Sequence, residues 1–247
     1  MIKLQRSPKP DYLTDEKVDE LVEEFKQKGS NVWNVEHIKE PLLKSSHGKC
    51  SYCECDLTEE SKYMEVEHFE DKKNNPDKVV TWENLLPSCK KCNGSKSTHD
   101  VIAEPIINPY IQDPREHLAI RFFRMRGLTD LGKDSIDVIG LNNQERLALK
   151  RFEIGSQIAS SIEMAWERFS TYKNNGRTQS KNRLINLVEG ILIECQPKAI
   201  YAATSATIAL TDARYSELVE VMKSEDIWSD DLEALHTTAD TLVLQCA

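Results

Sequence analysis

Two C-x-x-C pairs constrain the fold of this chain more than any other feature. Cys50 and Cys53 form the first pair, Cys89 and Cys92 form the second, and 35 residues separate the pairs. Together they offer four thiolates on two tight turns, which suits the tetrahedral preference of Zn²⁺. Such a closed site stabilises a short segment that cannot build its own core. The spacing therefore predicts a structural zinc site, because scattered buried thiols would show no paired spacing.

The other cysteines do not suggest a disulfide framework. The chain has seven cysteines, an odd number, and the remaining three are Cys55, Cys195 and Cys246. Thiols stay reduced in the cytoplasm, so metal binding is the better explanation of the pairs. Cys55 lies close enough to compete as a ligand, and Cys53 is preferred because C-x-x-C is the common spacing at such a turn.

Composition and charge indicate a globular protein without a membrane segment. The 247 residues are 39% hydrophobic and 30% charged, and we find no apolar run of the length that a bilayer requires. The first residues do not resemble a secretory signal, so we expect a cytoplasmic protein. The net charge is −9, and residues 212–247, with nine acids and two bases, carry −7 of it. The acidic balance argues against coating of the whole surface by nucleic acid, but a local basic site is compatible with it.

Helical patterns dominate the two ends of the chain. Thr14 and Gly29 bracket an amphipathic helix, and a second helix is expected over residues 35–44, interrupted by Pro41. Residues 74–78 contain turn signals. From Asn142 onward the apolar residues recur at helical spacing.

Strand patterns occupy the middle of the chain. Residues 63–69 are compatible with one strand, and a helix begins near the second cysteine pair. Large apolar residues occupy every second position at Leu118, Ile120 and Phe122, and again at Ile136 and Val138. These two segments predict antiparallel strands joined by a loop over residues 127–134. The fold class is therefore α+β: a mainly helical chain with a small zinc-stabilised core and a short β-hairpin.

The segment between the cysteine pairs resembles the HNH endonuclease family, also called ββα-metal or His-Me finger. The resemblance covers about residues 48–100 and includes an acid–histidine pair within EVEHFED. The matching residues are Cys50, Cys53, Glu67, His68, Asn84, Leu85, Cys89, Cys92, Asn93 and Lys96.

This resemblance implies a catalytic site. His68 is the general base, and an imidazole suits that role near neutral pH. Glu67 and Asn93 hold a divalent ion, Mg²⁺ or Mn²⁺, beside it. Asn84 orients the histidine by hydrogen bonding. Taken alone, each would be an ordinary strand or turn residue, and only their combination points to catalysis.

Two positions depart from the usual family pattern. Glu67 stands where many members have aspartate, and Asn93 stands where many have a second histidine. An amide oxygen is a hard ligand that suits Mg²⁺ better than imidazole does. His99 is an alternative source of an imidazole, further along the chain. Glu65 and Glu70 are expected to be solvated charges.

Basic residues near the second cysteine pair are candidates for phosphate contact. They are Lys90, Lys91 and Lys96. The alternative is a solvated helix face. A second basic run is formed by Arg121, Arg124 and Arg126, and its contact with substrate is left open.

A wider resemblance extends over nearly the whole chain and weakens beyond residue 140. The chain has a helical arm, the motifs GKCSYCE, EHF, WENLLPSCKKCN and NPYIQDP, a short hairpin and a long helical tail. This order is similar to the HNH component of Septu-type antiphage systems, the PtuB-like proteins, relatives of which accompany some retrons. This resemblance implies an SMC/ABC-type ATPase (PtuA-like) as protein partner. We therefore predict an arm at residues 1–45, a nuclease core at 46–105, and a hairpin with partner-docking helices at 106–247.

The predicted function is metal-dependent hydrolysis of phosphodiester bonds in DNA. RNA, for example tRNA, is an alternative substrate because this chemistry does not need the 2′-OH. A zinc-stabilised binding module without catalysis is the alternative from another class. Glu67, His68 and Asn84 together argue against that alternative, since binding alone requires none of them.

Overall fold

A computed structural model describes residues 1–58 and 64–246 of the chain. The chain divides into two compact units. Unit 1 comprises Met1–His117 and Gly127–Leu141, and unit 2 comprises Leu118–Arg126 and Asn142–Ala247. With 54% of residues in helices and only small sheets, the chain is the mainly helical α+β protein that the sequence predicts.

Unit 1 combines helices with one antiparallel strand pair. Its described elements are α1 (Asp15–Lys28), α2 (Glu36–Ser45), β1 (Met64–His68), β2 (Leu85–Cys89), α3 (Lys90–Lys96) and α4 (Asp130–Ile139). In the sheet, Met64 pairs with Cys89 and His68 pairs with Leu85. Helix α3 follows β2 directly and packs against both strands. The predicted strand at residues 63–69 is thus confirmed over 64–68, while Tyr63 lies outside the described residues.

The caps predicted for the first helix are confirmed. The Thr14 hydroxyl accepts a hydrogen bond from the Lys17 N–H at 3.2 Å, and Gly29 ends α1 with φ of 65°. Helix α2 differs from its prediction, because Pro41 lies inside it without interrupting it. Proline removes one backbone hydrogen bond, and the complete burial of Ile38 and Leu42 on the same helix favours its continuation.

The segment around Ile136 corrects a prediction. It forms helix α4, not a strand, and Thr129 caps the helix by accepting from the Gly132 N–H. Buried positions recur at the helical spacing of 132, 135, 136 and 139. The alternation of Ile136 and Val138 was too short to distinguish the two periods.

Unit 2 is a group of helices with a small sheet. Its described elements are β3 (Leu118–Arg121), β4 (Arg124–Gly127), α5 (Leu149–Asn175), α6 (Thr178–Ile193), α7 (Ala202–Leu210), α8 (Ala213–Ser224), α9 (Asp230–Asp240) and β5 (Gln245–Cys246). The strand order is β4-β3-β5, and β5 runs parallel to β3. A short hairpin is present as predicted, but the predicted pairing of residues 118–122 with 136–138 is wrong, because both strands come from residues 118–127. Among the described residues, we find no helix with the length and apolar character needed to cross a membrane.

Candidate functional site

Four cysteine side chains from two parts of unit 1 converge. The sulfur atoms of Cys50, Cys53, Cys89 and Cys92 all lie within 4.8 Å of one another, and the Cys53 and Cys89 sulfurs are 3.8 Å apart. Four thiolates bound to Zn²⁺ by bonds of about 2.3 Å form a tetrahedron with edges of about 3.8 Å. The donor set and its spacing therefore fit a zinc ion.

Local backbone geometry brings these sulfurs together. Glu54, with φ of 63°, closes the first turn, and its N–H donates to the carbonyl four residues earlier at 3.0 Å. The Ser51 N–H donates to the Pro87 carbonyl at 3.0 Å and so joins this turn to β2. Cys92 lies in the first turn of α3, where its N–H donates to the Cys89 sulfur at 3.4 Å.

Cys55 lies beside the cluster but is not one of its four members. This geometry favours Cys53 over Cys55 as the ligand, and the ligand set stays a prediction.

His68 ends β1 with its ring inside the protein, only 4% exposed. Its Nε2 lies 2.8 Å from the Val79 carbonyl oxygen. A carbonyl only accepts, so Nε2 carries the proton and Nδ1 keeps its lone pair. No hydrogen-bond partner for Nδ1 is found among the described residues. Burial lowers the pKa of His68 to about 4, so the ring is neutral near pH 7.

Trp33 covers one side of this histidine. The two ring centroids are 4.7 Å apart with an interplanar angle of 84°, and the Lys72 ammonium lies 5.1 Å from the Trp33 ring centroid. These contacts hold the imidazole in one orientation. They also restrict the approach of water to it.

Glu67 and Lys96 form a buried ion pair on the other face of β1. The Glu67 Oε1 lies 2.7 Å from the Lys96 Nζ, although not with hydrogen-bond geometry, and the same ammonium donates to the His68 carbonyl at 2.9 Å. Burial raises the pKa of Glu67 to about 7, and the positive charge of Lys96 opposes that rise. The acid predicted to bind a metal is thus engaged by a lysine.

Asn93 lies on α3 opposite the same strand face. Its Nδ2 donates to the Glu65 Oε2 at 2.7 Å, because strand alternation places Glu65 and Glu67 on one side of β1. Glu65 is half-buried and hydrogen-bonded, not the solvated charge that we expected. Apart from the four cysteines, the described residues include no group of three or more histidine, cysteine or acidic side chains close enough together to hold a metal ion.

Asn84 holds the loop that continues from His68. Its Oδ1 accepts from the Glu70 N–H at 2.7 Å, and its Nδ2 donates to the Glu70 carbonyl at 3.0 Å and the Lys78 carbonyl at 3.2 Å. Asn84 directly precedes β2. Its hydrogen bonds are to backbone on either side of the loop, and the histidine ring is held instead by Val79.

The predicted basic residues separate into two groups. Lys90 and Lys91 are exposed at the start of α3. Lys96 is buried against Glu67 and therefore, as placed here, cannot reach a phosphate. His99 lies beyond α3, where its Nε2 is 2.7 Å from the Glu104 carbonyl oxygen.

Sequence reasoning missed three contributors: Trp33, Val79 and Glu65. Trp33 and Val79 meet His68 only through the tertiary fold, and no local pattern indicated it. Glu65 did carry a signal, since it lies two residues before Glu67 and a strand places both on one face.

The fold and the site define a mainly helical α+β protein with a four-cysteine cluster suited to a metal ion. No family model and no solved structure matches the chain. The chain is 40% identical over 246 residues to Septu protein PtuB of Bacillus thuringiensis, covering 99% of this chain and 95% of that protein. It is 28% identical over 193 residues to Septu protein PtuB of Bacillus mycoides strain KBAB4, covering 62% and 63% respectively. The chain belongs to the Septu PtuB family, and the predicted PtuB-like resemblance is confirmed.

Proposed function

We propose that this chain is a metal-dependent HNH endonuclease and the nuclease subunit of a Septu-type antiphage system. One observation carries the proposal: a neutral histidine at the end of β1 has one ring nitrogen fixed by a carbonyl and the other without a partner. This arrangement suits a general base, and membership of the PtuB family supports the role in defence.

His68 acts on the attacking water. The Val79 carbonyl fixes the tautomer, so the Nδ1 lone pair receives the proton as the water attacks phosphorus. Since Nδ1 is buried, hydrolysis requires local opening around Trp33 before water and phosphate reach it. Asn84 is a positioning residue that acts through the Glu70 backbone.

Two kinds of metal belong to the proposal. The four cysteines hold a structural zinc ion. The oxygen donors of Glu67 and Asn93 suit Mg²⁺ or Mn²⁺ chemically, and they lie on facing elements. To bind such an ion, Glu67 would exchange its contact with Lys96, and Asn93 its contact with Glu65. When bound, the ion supplies positive charge for the scissile phosphate and the leaving oxygen.

DNA is the proposed substrate, and RNA such as tRNA is the alternative. Lys90 and Lys91 are exposed at the start of α3 and suit contact with a phosphate backbone of either kind. An SMC/ABC-type ATPase is the proposed protein partner, docking on the region from residue 106 onward. The amphipathic helices and the −7 charge of residues 212–247 are compatible with a protein interface.

The decisive experiment compares wild type with His68→Ala in the presence of Mg²⁺. Plasmid DNA and total tRNA are offered separately, with and without the partner ATPase, and the products are resolved on gels. We expect cleavage of one substrate by wild type and none by His68→Ala, because the base is lost. His99→Ala is the matched control, since His99 contacts Glu104 and not the site.

Zinc content and circular dichroism of His68→Ala would show whether the variant retains its fold. Undiminished cleavage by a folded His68→Ala protein would refute catalysis by this residue. If wild type with its ATPase cleaves neither substrate, although zinc is bound, the binding module without catalysis becomes the better account.

A further inference from the structure

The hairpin formed by β3 and β4 has an unusual turn. Its two central residues are Phe122 and Phe123, with φ of 48° and 61°. A two-residue hairpin turn with positive φ at both positions favours glycine or asparagine, and bulky residues there are strained. Two phenylalanines at such positions therefore suggest that their side chains serve a purpose.

Phe123 anchors the hairpin to helix α5 within unit 2. Its ring meets Phe152 of α5 edge-on, with centroids 5.3 Å apart. Gly155 allows this approach, because a Cβ there would lie 2.5 Å from the Phe123 Cε1. Asn142 clamps the other strand: its Oδ1 accepts from the Met125 N–H at 2.8 Å, and its Nδ2 donates to the Met125 carbonyl at 2.9 Å. The turn and the adjoining part of β4 are thus held in place.

Phe122 points away from this anchor. It is 79% exposed, and the Arg121 guanidinium carbon lies 5.4 Å from its ring centroid. Arg124 and Arg126 are exposed on one face of β4, while Met125 between them is buried.

The charge of this hairpin contrasts with that of the chain. Residues 118–126 contain three arginines and no acid, in a protein of net charge −9. None of the ion pairs among the described residues involves these arginines. The hairpin therefore offers an exposed aromatic ring surrounded by uncompensated positive charge.

We propose that this hairpin binds an unpaired stretch of nucleic acid. Phe122 stacks on a base, and Arg121, Arg124 and Arg126 contact the adjacent phosphates. An exposed aromatic ring beside cations is the usual platform for single strands. A duplex hides its base faces within its own stack, so the ring has no surface there on which to stack. The identity of the ligand as nucleic acid rests on the proposed function, and the inference adds that the strand is unpaired.

The test uses the full chain carrying His68→Ala, so that binding is measured without cleavage. Fluorescence anisotropy follows a labelled oligonucleotide of mixed sequence, either unpaired or annealed to its complement. Phe122→Asn removes the ring but favours positive φ, so the fold is retained. We expect it to weaken binding of the unpaired strand about tenfold, within the range for one base–aromatic stack. Duplex binding should stay unchanged, and the thermal midpoint should stay equal or rise.

Matched controls isolate the hairpin. Ile102→Asn removes a 70% exposed apolar side chain in unit 1 and should leave binding unchanged. Arg124→Gln with Arg126→Gln should reduce the slope of log affinity against log salt by about 1.4, as expected for two lost phosphate contacts on a single strand. Arg177→Gln with Arg183→Gln, at exposed positions on another part of unit 2, should leave the slope unchanged.

Three outcomes would overturn the inference: no binding by the parent protein, equal binding by Phe122→Asn, or equal losses for unpaired strand and duplex. If Phe122→Asn binds nucleic acid as the parent protein does but no longer binds the ATPase, the hairpin belongs to an interface with the protein partner instead. Because binding is measured without cleavage, an inactive wild type that still binds through Phe122 would refute the nuclease proposal alone.

Discussion

Glu67 and His68 are consecutive in β1, and the strand sends their side chains to opposite faces. Glu67 meets Lys96, whereas His68 meets Trp33 and the Val79 carbonyl. Burial disfavours the charged form of both, so it raises the pKa of Glu67 to about 7 and lowers that of His68 to about 4. The histidine is therefore a neutral base near pH 7, while the carboxylate depends on a cation to keep its charge.

Lys96→Met tests this dependence. The substitution keeps much of the apolar stem but leaves the Glu67 carboxylate buried without its partner. Loss of one partner of a buried ion pair costs about 3–5 kcal/mol, so we expect the free energy of unfolding, measured in urea, to fall by about 3 kcal/mol. Lys91→Met, at an exposed position of the same helix, should change it by less than about 0.5 kcal/mol.

The double variant Glu67→Gln with Lys96→Met completes a thermodynamic cycle. Removing the carboxylate as well should recover part of the stability, because no unpaired buried charge remains. Equal losses in Lys96→Met and Lys91→Met would contradict the assignment of the ion pair.

At the level of elements, the approach of the hairpin to α5 depends on one missing side chain. Gly155→Ala would place a methyl group 2.5 Å from the Phe123 ring and 2.9 Å from the Ile208 Cδ1. Overpacking of this kind costs about 1–3 kcal/mol, which urea denaturation would detect. Gly190→Ala in α6 is the matched control, since no atom lies within 4 Å of its added methyl. It should stabilise the helix by up to about 1 kcal/mol, and a loss there comparable to Gly155→Ala would contradict the packing argument.

Elements with strong local signals were predictable, and those set by tertiary contact were not. Thr14 and Gly29 are capping residues that the local sequence identifies, and the C-x-x-C spacing identifies the cysteine cluster. The apolar pattern around Ile136 was too short to distinguish a helix from a strand, and the capping hydroxyl of Thr129 was overlooked. The burial of Lys96 depends on partners 28 or more residues away in the chain, which no local pattern contains.

A contact between Tyr215 and His236 joins helices α8 and α9 and should respond to pH. The Tyr215 hydroxyl lies 3.1 Å from the His236 Nδ1, and burial lowers the pKa of His236. A histidine whose folded pKa is lowered contributes stability above its unfolded pKa of about 6.5, and that stability is lost as the pH falls. We expect wild type to lose more stability than His236→Asn between about pH 7.5 and pH 5.5. If the unfolding free energies of wild type and His236→Asn change equally across that range, His236 makes no such contribution. His68 is present in both proteins, so its effect cancels.

At the scale of the whole molecule, each of the two units is stabilised internally in a different way. Unit 1 contains the four-cysteine cluster and the short strand pair, and its tryptophans are Trp33 and Trp82. Unit 2 buries the apolar faces of its own helices, and its tryptophans are Trp166 and Trp228. The acidic charge predicted from sequence to concentrate at the carboxyl end falls entirely within unit 2. Each unit can therefore be followed by its own fluorophores.

Removal of zinc should affect unit 1 alone. A short segment stabilised by metal loses its structure when the ion is chelated, whereas the helices of unit 2 contain none of the four clustered cysteines. In a Trp166→Phe, Trp228→Phe variant we expect a strong chelator to shift the emission of Trp33 and Trp82 to longer wavelength. In a Trp33→Phe, Trp82→Phe variant the emission of unit 2 should not move.

Cys92→Ser should reproduce the effect without chelator, and Cys246→Ser, outside the cluster, should retain bound zinc. A shift of both tryptophan pairs together would mean that the units unfold as one, and a shift of neither would mean that the four sulfurs hold no ion that the fold requires.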